Sequence, residues 1–239
     1  MRKALILKHF LVITLTLILA TEVQAKLVTK TVEYQQDGSI CKGYLAYDDS
    51  VRGKRPGVLV VHEYWLVTTD PKEAGRLAGE LRGNKPLLRA RAQAALKVLS
   101  ETPMAEPQRL AAIGFCFGGT TVLELAYAGA DLKGVVSFHG GLTSPQPEEL
   151  KSIKAAILVL HGADDPHVKA EAITAFQEAM RQGGIDWQMV FFGGAVHAYM
   201  NPAANNRAAG VAYDARAARS SWQYMQDFFK EIFAVKGRD

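Results

Sequence analysis

The chain has 239 residues, 49% of them hydrophobic, and a formal net charge of +4. Residues 1–25 contain three basic residues and one acidic residue, so the remainder carries only +2, which gives no reason to expect a nucleic-acid partner. This length and apolar content suit one α/β domain with a substantial core. The two cysteines, Cys41 and Cys116, fall in different predicted elements, and we expect both thiols to be free.

The N-terminus has the features of a secretory signal peptide. Met1-Arg2-Lys3 is followed by an apolar run over residues 10–20, and Val23-Gln24-Ala25 resembles a signal peptidase site. The apolar run is shorter than the roughly 20 residues that span a bilayer. We therefore predict cleavage after Ala25, a periplasmic or secreted location, and no membrane attachment of the single domain at residues 26–239.

The first half of that domain begins with β-rich runs at residues 27–34 and 40–47. They flank Gln36-Asp37-Gly38, a pattern that predicts an antiparallel hairpin. Residues 57–61 form a continuous apolar run of the kind found in buried parallel strands. Two helices are predicted next, at residues 72–82 behind the Asp70-Pro71 start signal and at residues 86–100.

Strands and helices alternate regularly in the second half. Strands are predicted at residues 110–113, 134–138, 155–160 and 187–192, and helices at residues 120–128, 168–181 and 215–233. The last helix places an apolar stripe on one face, formed by Trp222, Met225, Phe229, Ile232 and Phe233. This order predicts an α/β fold with a mostly parallel sheet flanked by helices, and ligands bound at the carboxyl ends of the strands.

The tight connection between residues 113 and 120 contains a candidate nucleophile. Gly114-Phe115-Cys116-Phe117-Gly118 has the G-x-C-x-G spacing of a nucleophile elbow, with cysteine in place of serine. The small residues let the strand and the helix pack closely, and the partial positive charge at the helix N-terminus favours a thiolate. The alternative interpretation is a buried structural cysteine beside a glycine-rich loop.

A cysteine nucleophile needs a base and a group that orients the base. His197 follows the last predicted strand, and Asp164 and Asp165 follow the strand before it, which is the chain order of α/β hydrolases. His197 has the alternative interpretation of a structural loop histidine. Asp164 has the alternative role of capping the turn before Pro166, so the spacing leaves the choice of acid open.

The remaining histidines do not form a metal site in the sequence. His139 and His161 also follow strands, where we expect hydrogen-bond donors to neighbouring loops. His62-Glu63 lacks the second histidine of a zincin motif. We therefore expect neither a metal nor another cofactor.

From Val28 nearly to its end, the chain resembles the dienelactone hydrolase family of α/β hydrolases. The stretches that carry this resemblance are Pro56-Gly57-Val58-Leu59-Val60-Val61-His62-Glu63, Gly114-Phe115-Cys116-Phe117-Gly118-Gly119, Val135-Val136-Ser137-Phe138-His139-Gly140-Gly141, Leu160-His161-Gly162-Ala163-Asp164-Asp165 and Gly193-Gly194-Ala195-Val196-His197.

The resemblance implies a Cys-Asp-His triad formed by Cys116, Asp165 and His197, with Asp165 preferred over Asp164. It also implies that the Glu63 carboxylate contacts the resting thiol and helps to govern thiolate formation. The implied oxyanion hole consists of the backbone N–H groups of Phe117 and Tyr64. The implied activity is hydrolysis of a small ester, lactone or thioester.

The sequence departs from the family pattern in two places. The family continues after His-Glu through a glycine into a helix and a strand, but here Leu66 follows Tyr64-Trp65 and the chain passes directly to Asp70-Pro71. A unit of roughly 30 residues is absent, and its strand would lie between the hairpin and residues 57–61. The substrate-binding arginines of the family also have no secure counterpart.

Two functional hypotheses follow from these observations. The first is a hydrolase of a small-molecule ester or lactone. The second is a catalytically silent or truncated α/β-hydrolase-like protein with at most a ligand-binding role. A thiol redox protein is a third idea, but the chain has no C-x-x-C motif. The sequence leaves the oligomeric state open.

Overall fold

The computed structural model of the chain describes residues 26–63 and 70–234. The predicted signal peptide at residues 1–25 lies outside these ranges. The elements are β1 (Leu27–Gln36), β2 (Ser39–Asp48), β3 (Arg55–Val61), α1 (Pro71–Gly83), α2 (Lys85–Glu101), β4 (Ala105–Phe115), α3 (Phe117–Tyr127), β5 (Gly134–Phe138), β6 (Ala156–Gly162), α4 (Ala170–Gln182), β7 (Trp187–Phe192), β8 (Asn205–Asn206), β9 (Val211–Ala212) and α5 (Ala215–Ile232).

The core of the domain is a parallel sheet of five strands in the order β3-β4-β5-β6-β7. Every residue of β5 and β6 is buried, as expected for strands covered on both faces. Alternate residues of β6 face opposite sides: Ile157 packs into a cluster with α2, α3 and α4, whereas Leu158 packs with α5. The predicted α/β-hydrolase fold, with helices on both faces of a parallel sheet, is confirmed.

The predicted hairpin is also present, as a separate two-stranded antiparallel sheet of β1 and β2. Its two turn residues, Asp37 and Gly38, both have positive φ, at 48° and 73°. That combination is the type I′ turn, whose twist matches the twist of a hairpin.

Among the described strands, β3 pairs only with β4 and therefore forms the edge of the parallel sheet. The hairpin does not close against it, and Val60 on β3 is 57% exposed. This arrangement is the one expected if the absent helix-strand unit leaves its position in the sheet open. The physical consequence is a row of backbone groups on β3 without a neighbouring strand.

The predicted apolar stripe of α5 is wrong at one residue. Trp222 is 45% exposed, whereas Phe228, which the stripe omitted, is 5% exposed and packs on the sheet. The residues that face the sheet are spaced by three or four, and Trp222 lies next to this face rather than on it. The buried residues of α5 are Ala217, Ala218, Ser221, Met225 and Phe228.

Element boundaries differ from prediction mainly around the elbow. The strand β4 begins five residues earlier than predicted, and α3 begins three residues earlier, at Phe117. Both cysteines are free, as predicted. Within residues 26–63 and 70–234, no helix is both long and apolar enough to span a membrane.

Candidate active site

Cys116 is the single residue between the end of β4 and the start of α3. Its φ of 52° and ψ of −114° lie outside the regions that non-glycine residues usually adopt. Conformations of this kind cost about 1–3 kcal/mol and persist only where the surrounding structure enforces them. Here the turn places the buried thiol at the carboxyl edge of the sheet and at the N-terminus of α3.

Two glycines make this turn possible. A Cβ atom at Gly114 would collide with the backbone of Gly118, and a Cβ atom at Gly118 would collide with the carbonyl of Val61 at the end of β3. Strand β4, helix α3 and strand β3 therefore meet at distances that exclude any side chain. Glycine is therefore needed at both positions because a side chain would collide with neighbouring backbone. Neither position has the positive φ that would be the other reason for glycine.

His197 lies between Cys116 and Asp165. Its Nε2 atom is 3.1 Å from the Sγ atom of Cys116, and its Nδ1 atom is 2.8 Å from Oδ2 of Asp165. The loops after β4, β6 and β7 bring the three side chains together, because parallel strands end at the same edge of the sheet. The backbone of His197 is fixed by a short bridge to Val211 of β9.

The alternative acid, Asp164, is exposed and its carboxylate makes no hydrogen bond to His197. Asp165 is buried, and its second oxygen accepts a hydrogen bond from the backbone N–H of His167 at 2.9 Å. Adjacent residues after β6 point in different directions, so only one of the two can contact the histidine. The structure brings Asp165 into that contact.

The environment of the histidine favours its charged form. Burial alone would lower the pKa of His197, but hydrogen bonds to Asp165 and Cys116 outweigh burial and raise the pKa to about 10. For Asp165, burial acts to raise the pKa, but the hydrogen bond from His197, the charge of His197 and the backbone N–H of His167 together outweigh burial, so that the pKa is lowered. The arrangement therefore favours a protonated His197 beside the Asp165 carboxylate.

The structure describes part of the predicted oxyanion hole. Phe117 is the first residue of α3, where a backbone N–H has no acceptor within its own helix. Its ring lies under the guanidinium of Arg82, 5.4 Å from the ring centre. Tyr64, the other residue of the predicted hole, lies outside the described residues.

Glu63 follows β3 and is buried, with 7% of its surface exposed. Its Oε1 atom lies 3.7 Å from Nε2 of His139. The carbonyls of Val61 and His62 pack against Gly118, so the segment that leads into Glu63 lies against the elbow.

The sequence interpretation of His139 is wrong. It was expected to donate to a neighbouring loop, but neither of its ring nitrogens has a hydrogen-bond partner among the described residues. His139 instead packs edge-on against His197, with ring centres 5.3 Å apart, and against Tyr199 at 5.2 Å. The same expectation is wrong for Nδ1 of His161, which has no hydrogen-bond partner in the described part of the chain.

The residues most easily missed from the sequence are Arg82 and Tyr199. Tyr199 is fully buried, donates its hydroxyl proton to the carbonyl of Leu160 and accepts a hydrogen bond from Ser221. Its position two residues after His197 could have indicated that Tyr199 lies near the site. Nothing in the sequence indicates the same for Arg82, because only the tertiary fold packs α1 beside the elbow.

In the described ranges, no group of three or more histidine, cysteine or acidic side chains is arranged to hold a metal ion.

Comparison with known proteins agrees with this geometry. The model of the dienelactone hydrolase family matches residues 67–233. An uncharacterized protein of Caenorhabditis elegans, K02A2.1, is 38% identical over 150 residues, which cover 62% of this chain and 95% of that protein. A putative carboxymethylenebutenolidase of Escherichia coli (strain K12) is 30% identical over 136 residues, covering 54% of this chain and 48% of that protein.

A solved structure extends the similarity to most of the chain. The dienelactone hydrolase-like promiscuous phosphotriesterase P91, from metagenomic libraries, is 34% identical with a TM-score of 0.82. The match covers 87% of this chain and 99% of that protein. The matched family residues include the elbow and the loops that carry Asp165 and His197, so this chain belongs to the dienelactone hydrolase family of hydrolases.

Proposed function

We propose that the chain hydrolyses small esters, lactones or thioesters with Cys116 as nucleophile, His197 as base and Asp165 as the group that orients His197. The observation that carries the proposal is the position of the His197 ring, which contacts the Cys116 sulfur with one nitrogen and the Asp165 carboxylate with the other. A nucleophile, a base and an orienting acid in this relation are what acyl transfer requires.

In the proposed reaction, the thiolate of Cys116 attacks the carbonyl carbon and forms a C–S bond. The N–H of Phe117 stabilises the oxyanion, and the N–H of Tyr64 is proposed to do the same. The tetrahedral intermediate collapses, the C–O bond of an ester breaks, and His197 gives its proton to the leaving oxygen. Water, deprotonated by His197, then attacks the thioester, releases the acid and restores the thiol.

Glu63 is proposed to regulate the thiol rather than to react. It is a buried carboxylate next to the elbow. A negative charge in that position opposes thiolate formation at rest.

The substrate range is best tested with small, activated compounds. Mature protein should turn over p-nitrophenyl acetate and butyrate, a γ- or δ-lactone, and a thioester in a panel of separate assays. P91 is described as a promiscuous phosphotriesterase, so a p-nitrophenyl phosphotriester belongs in the same panel. No turnover of any of these compounds by folded protein would overturn the proposed function.

Substitutions test the assignment of the residues. Cys116→Ala and His197→Ala should each abolish most of the turnover, by about 10³-fold or more, and the double variant should lose almost nothing further. Cys41→Ala is the matched control, because Cys41 lies on the hairpin strand β2. Independent, multiplicative losses from the two substitutions would contradict a shared triad.

A catalytically silent, truncated protein is the second candidate, and the open edge of β3 favours it. If the missing strand is needed to hold Glu63 and the elbow together, the protein should unfold at low temperature without a cooperative transition. A single cooperative transition together with turnover would exclude this candidate.

We also propose that the chain is exported and cleaved after Ala25, to act in the periplasm or outside the cell. Intact-mass measurement of the exported protein should then give Lys26 as its first residue. Retention of residues 1–25 in that protein would contradict the proposal.

A further inference from the structure

His139 is a buried histidine next to the candidate triad that the proposed reaction leaves without a role. It follows the last residue of β5 and has a φ of 39°, a conformation that residues with a side chain rarely adopt. Its backbone N–H donates to the carbonyl of Leu160, and none of its surface is exposed. A strained backbone that the fold enforces at such a place suggests a function for the side chain.

The His139 side chain has an unmet hydrogen-bonding requirement. A neutral imidazole carries one N–H donor and one acceptor nitrogen, and buried groups of this kind are normally paired. Neither nitrogen of His139 has a hydrogen-bond partner in the described residues. Burial lowers the pKa of His139 to about 3, so the ring is neutral at any pH used for assay and retains one proton to donate.

The Glu63 carboxylate lies close to this ring, with Oε1 3.7 Å from Nε2 of His139. Since His139 is neutral, this contact is not an ion pair but a carboxylate facing an N–H dipole. An N–H···O hydrogen bond is about 2.9 Å long, so a movement of less than about 1 Å would form it.

Titratable groups face His139 from several elements. His197 lies edge-on to the ring from the loop after β7, and Tyr199 lies edge-on two residues later. The strands contribute further titratable groups around this site: Glu63 follows β3, Cys116 follows β4, His161 lies in β6 and Asp165 follows β6. His167 packs beside His197, and Arg82 lies over the ring of Phe117.

We propose that His139 is a positioning residue that donates its Nε2 proton to the Glu63 carboxylate and so weakens the effect of that charge on the Cys116–His197 pair. This inference rests on the proposed function, because it assumes that Cys116 reacts as a thiolate. The His139 ring also packs edge-on against the His197 ring and restricts its movement. The two effects are separable, since phenylalanine preserves the ring but has no N–H.

The direction of the effect follows from charge. A carboxylate that loses one hydrogen-bond donor exerts more of its negative charge on nearby groups. Thiolate formation at Cys116 then becomes less favourable and requires a higher pH. Without the Glu63 charge, the His139 donor has nothing to attenuate and its loss should not change the thiol.

The test measures the rate of Cys116 alkylation by iodoacetamide against pH, in a Cys41→Ala background, by intact mass. His139→Phe should raise the pH of half-maximal alkylation by about one unit, because the less attenuated Glu63 charge disfavours the thiolate. His139→Gln should return that pH close to the starting value, since its amide N–H reaches about as far as Nε2. In a Glu63→Gln background, His139→Phe should produce no shift.

His139→Asn provides a second variant should the phenylalanine variant not fold. Asparagine accepts positive φ, and its N–H falls near the position of Nδ1, away from Glu63. The same upward shift is expected. An unchanged midpoint in both variants, or an equal shift with and without Glu63, would overturn the proposal, because a packing role alone predicts one of these results.

Alkylation and turnover together separate this inference from the proposed function. Shifted midpoints in a protein that turns over no substrate would support the role of His139 and overturn the proposed function. Normal turnover with unshifted midpoints would overturn the role of His139 alone.

Discussion

Nδ1 of His197 donates to Oδ2 of Asp165 at 2.8 Å, on the side of the ring opposite to the Cys116 sulfur. This bond fixes the tautomer and the orientation of the imidazole, so that Nε2 faces the thiol. The backbone N–H of His167 holds the other oxygen of the same carboxylate. Asp165 is therefore immobilised from both sides.

Asp165→Asn should lower kcat by about 10²–10⁴-fold, because an amide in that position favours the wrong histidine tautomer. Asp164→Asn is the matched control at the neighbouring exposed residue, and it should stay within about twofold of the starting activity. Steady-state kinetics on p-nitrophenyl butyrate measures both. A larger loss from Asp164→Asn would move the acid by one residue.

Stability should depend on pH through His197. In the folded chain its pKa is raised to about 10, from the 6.5 of an ordinary histidine. The folded state therefore binds the proton more tightly, so this contribution is complete below pH 6.5 and is lost as the pH rises towards 10.

The free energy of unfolding should fall over this range with a slope of at most about 1.4 kcal/mol per pH unit from this group. His197→Gln should flatten that slope, as measured by urea unfolding at a series of pH values. Equal slopes for both proteins between pH 6.5 and 10 would show that the histidine proton is not held in the folded state.

Gly118→Ala should destabilise the protein by more than about 2 kcal/mol, because the new methyl group collides with the Val61 carbonyl. Gly75→Ala is the control: Gly75 lies in α1, with open space around its Cα, and alanine there should stabilise the helix by about 0.5–1 kcal/mol. Thermal unfolding gives both values. A tolerated Gly118→Ala would mean that β3 can move away from the elbow.

The open edge of β3 should be the least protected part of the sheet. Hydrogen exchange should be slower in β5 and β6, which are buried throughout, than in β1, β2 and β3. Equal and strong protection across all of these strands would show that the hairpin has closed against β3.

Val60→Lys should reduce aggregation with little loss of stability, because Val60 is exposed on the edge strand. Val58→Lys on the same strand should cost more than about 2 kcal/mol, since Val58 packs against the cluster under α5. Light scattering and urea unfolding distinguish the two variants. Similar aggregation of Val60→Lys and the starting protein would mean that β3 is not the exposed template.

Local pattern alone predicted most of the fold. Buried strands and helix faces need apolar side chains at regular positions, and these positions can be read from the sequence. This is why the sequence predicted the strands β3, β5, β6 and β7 and the helix α2. The boundary of α3 was predicted late, because Gly118 and Gly119 have low helix propensity and were interpreted as a turn. In the structure, close packing of Gly118 against the end of β3 and of Gly119 against β5 and Gly140 outweighs that propensity.

Spacing and chain order placed Cys116, His197 and an acid at one edge of the sheet, because parallel strands end together. The amino-acid sequence therefore determined which residue types could meet. Spacing left Asp164 and Asp165 open, and the family resemblance favoured Asp165; the tertiary structure puts the Asp165 carboxylate in contact with His197. Only the tertiary structure decided that His139 faces Glu63 with no hydrogen-bond partner for its ring among the described residues, and that the hairpin leaves β3 uncovered. These outcomes depend on side-chain direction and on distances between segments far apart in the chain, and no local pattern encodes either of them.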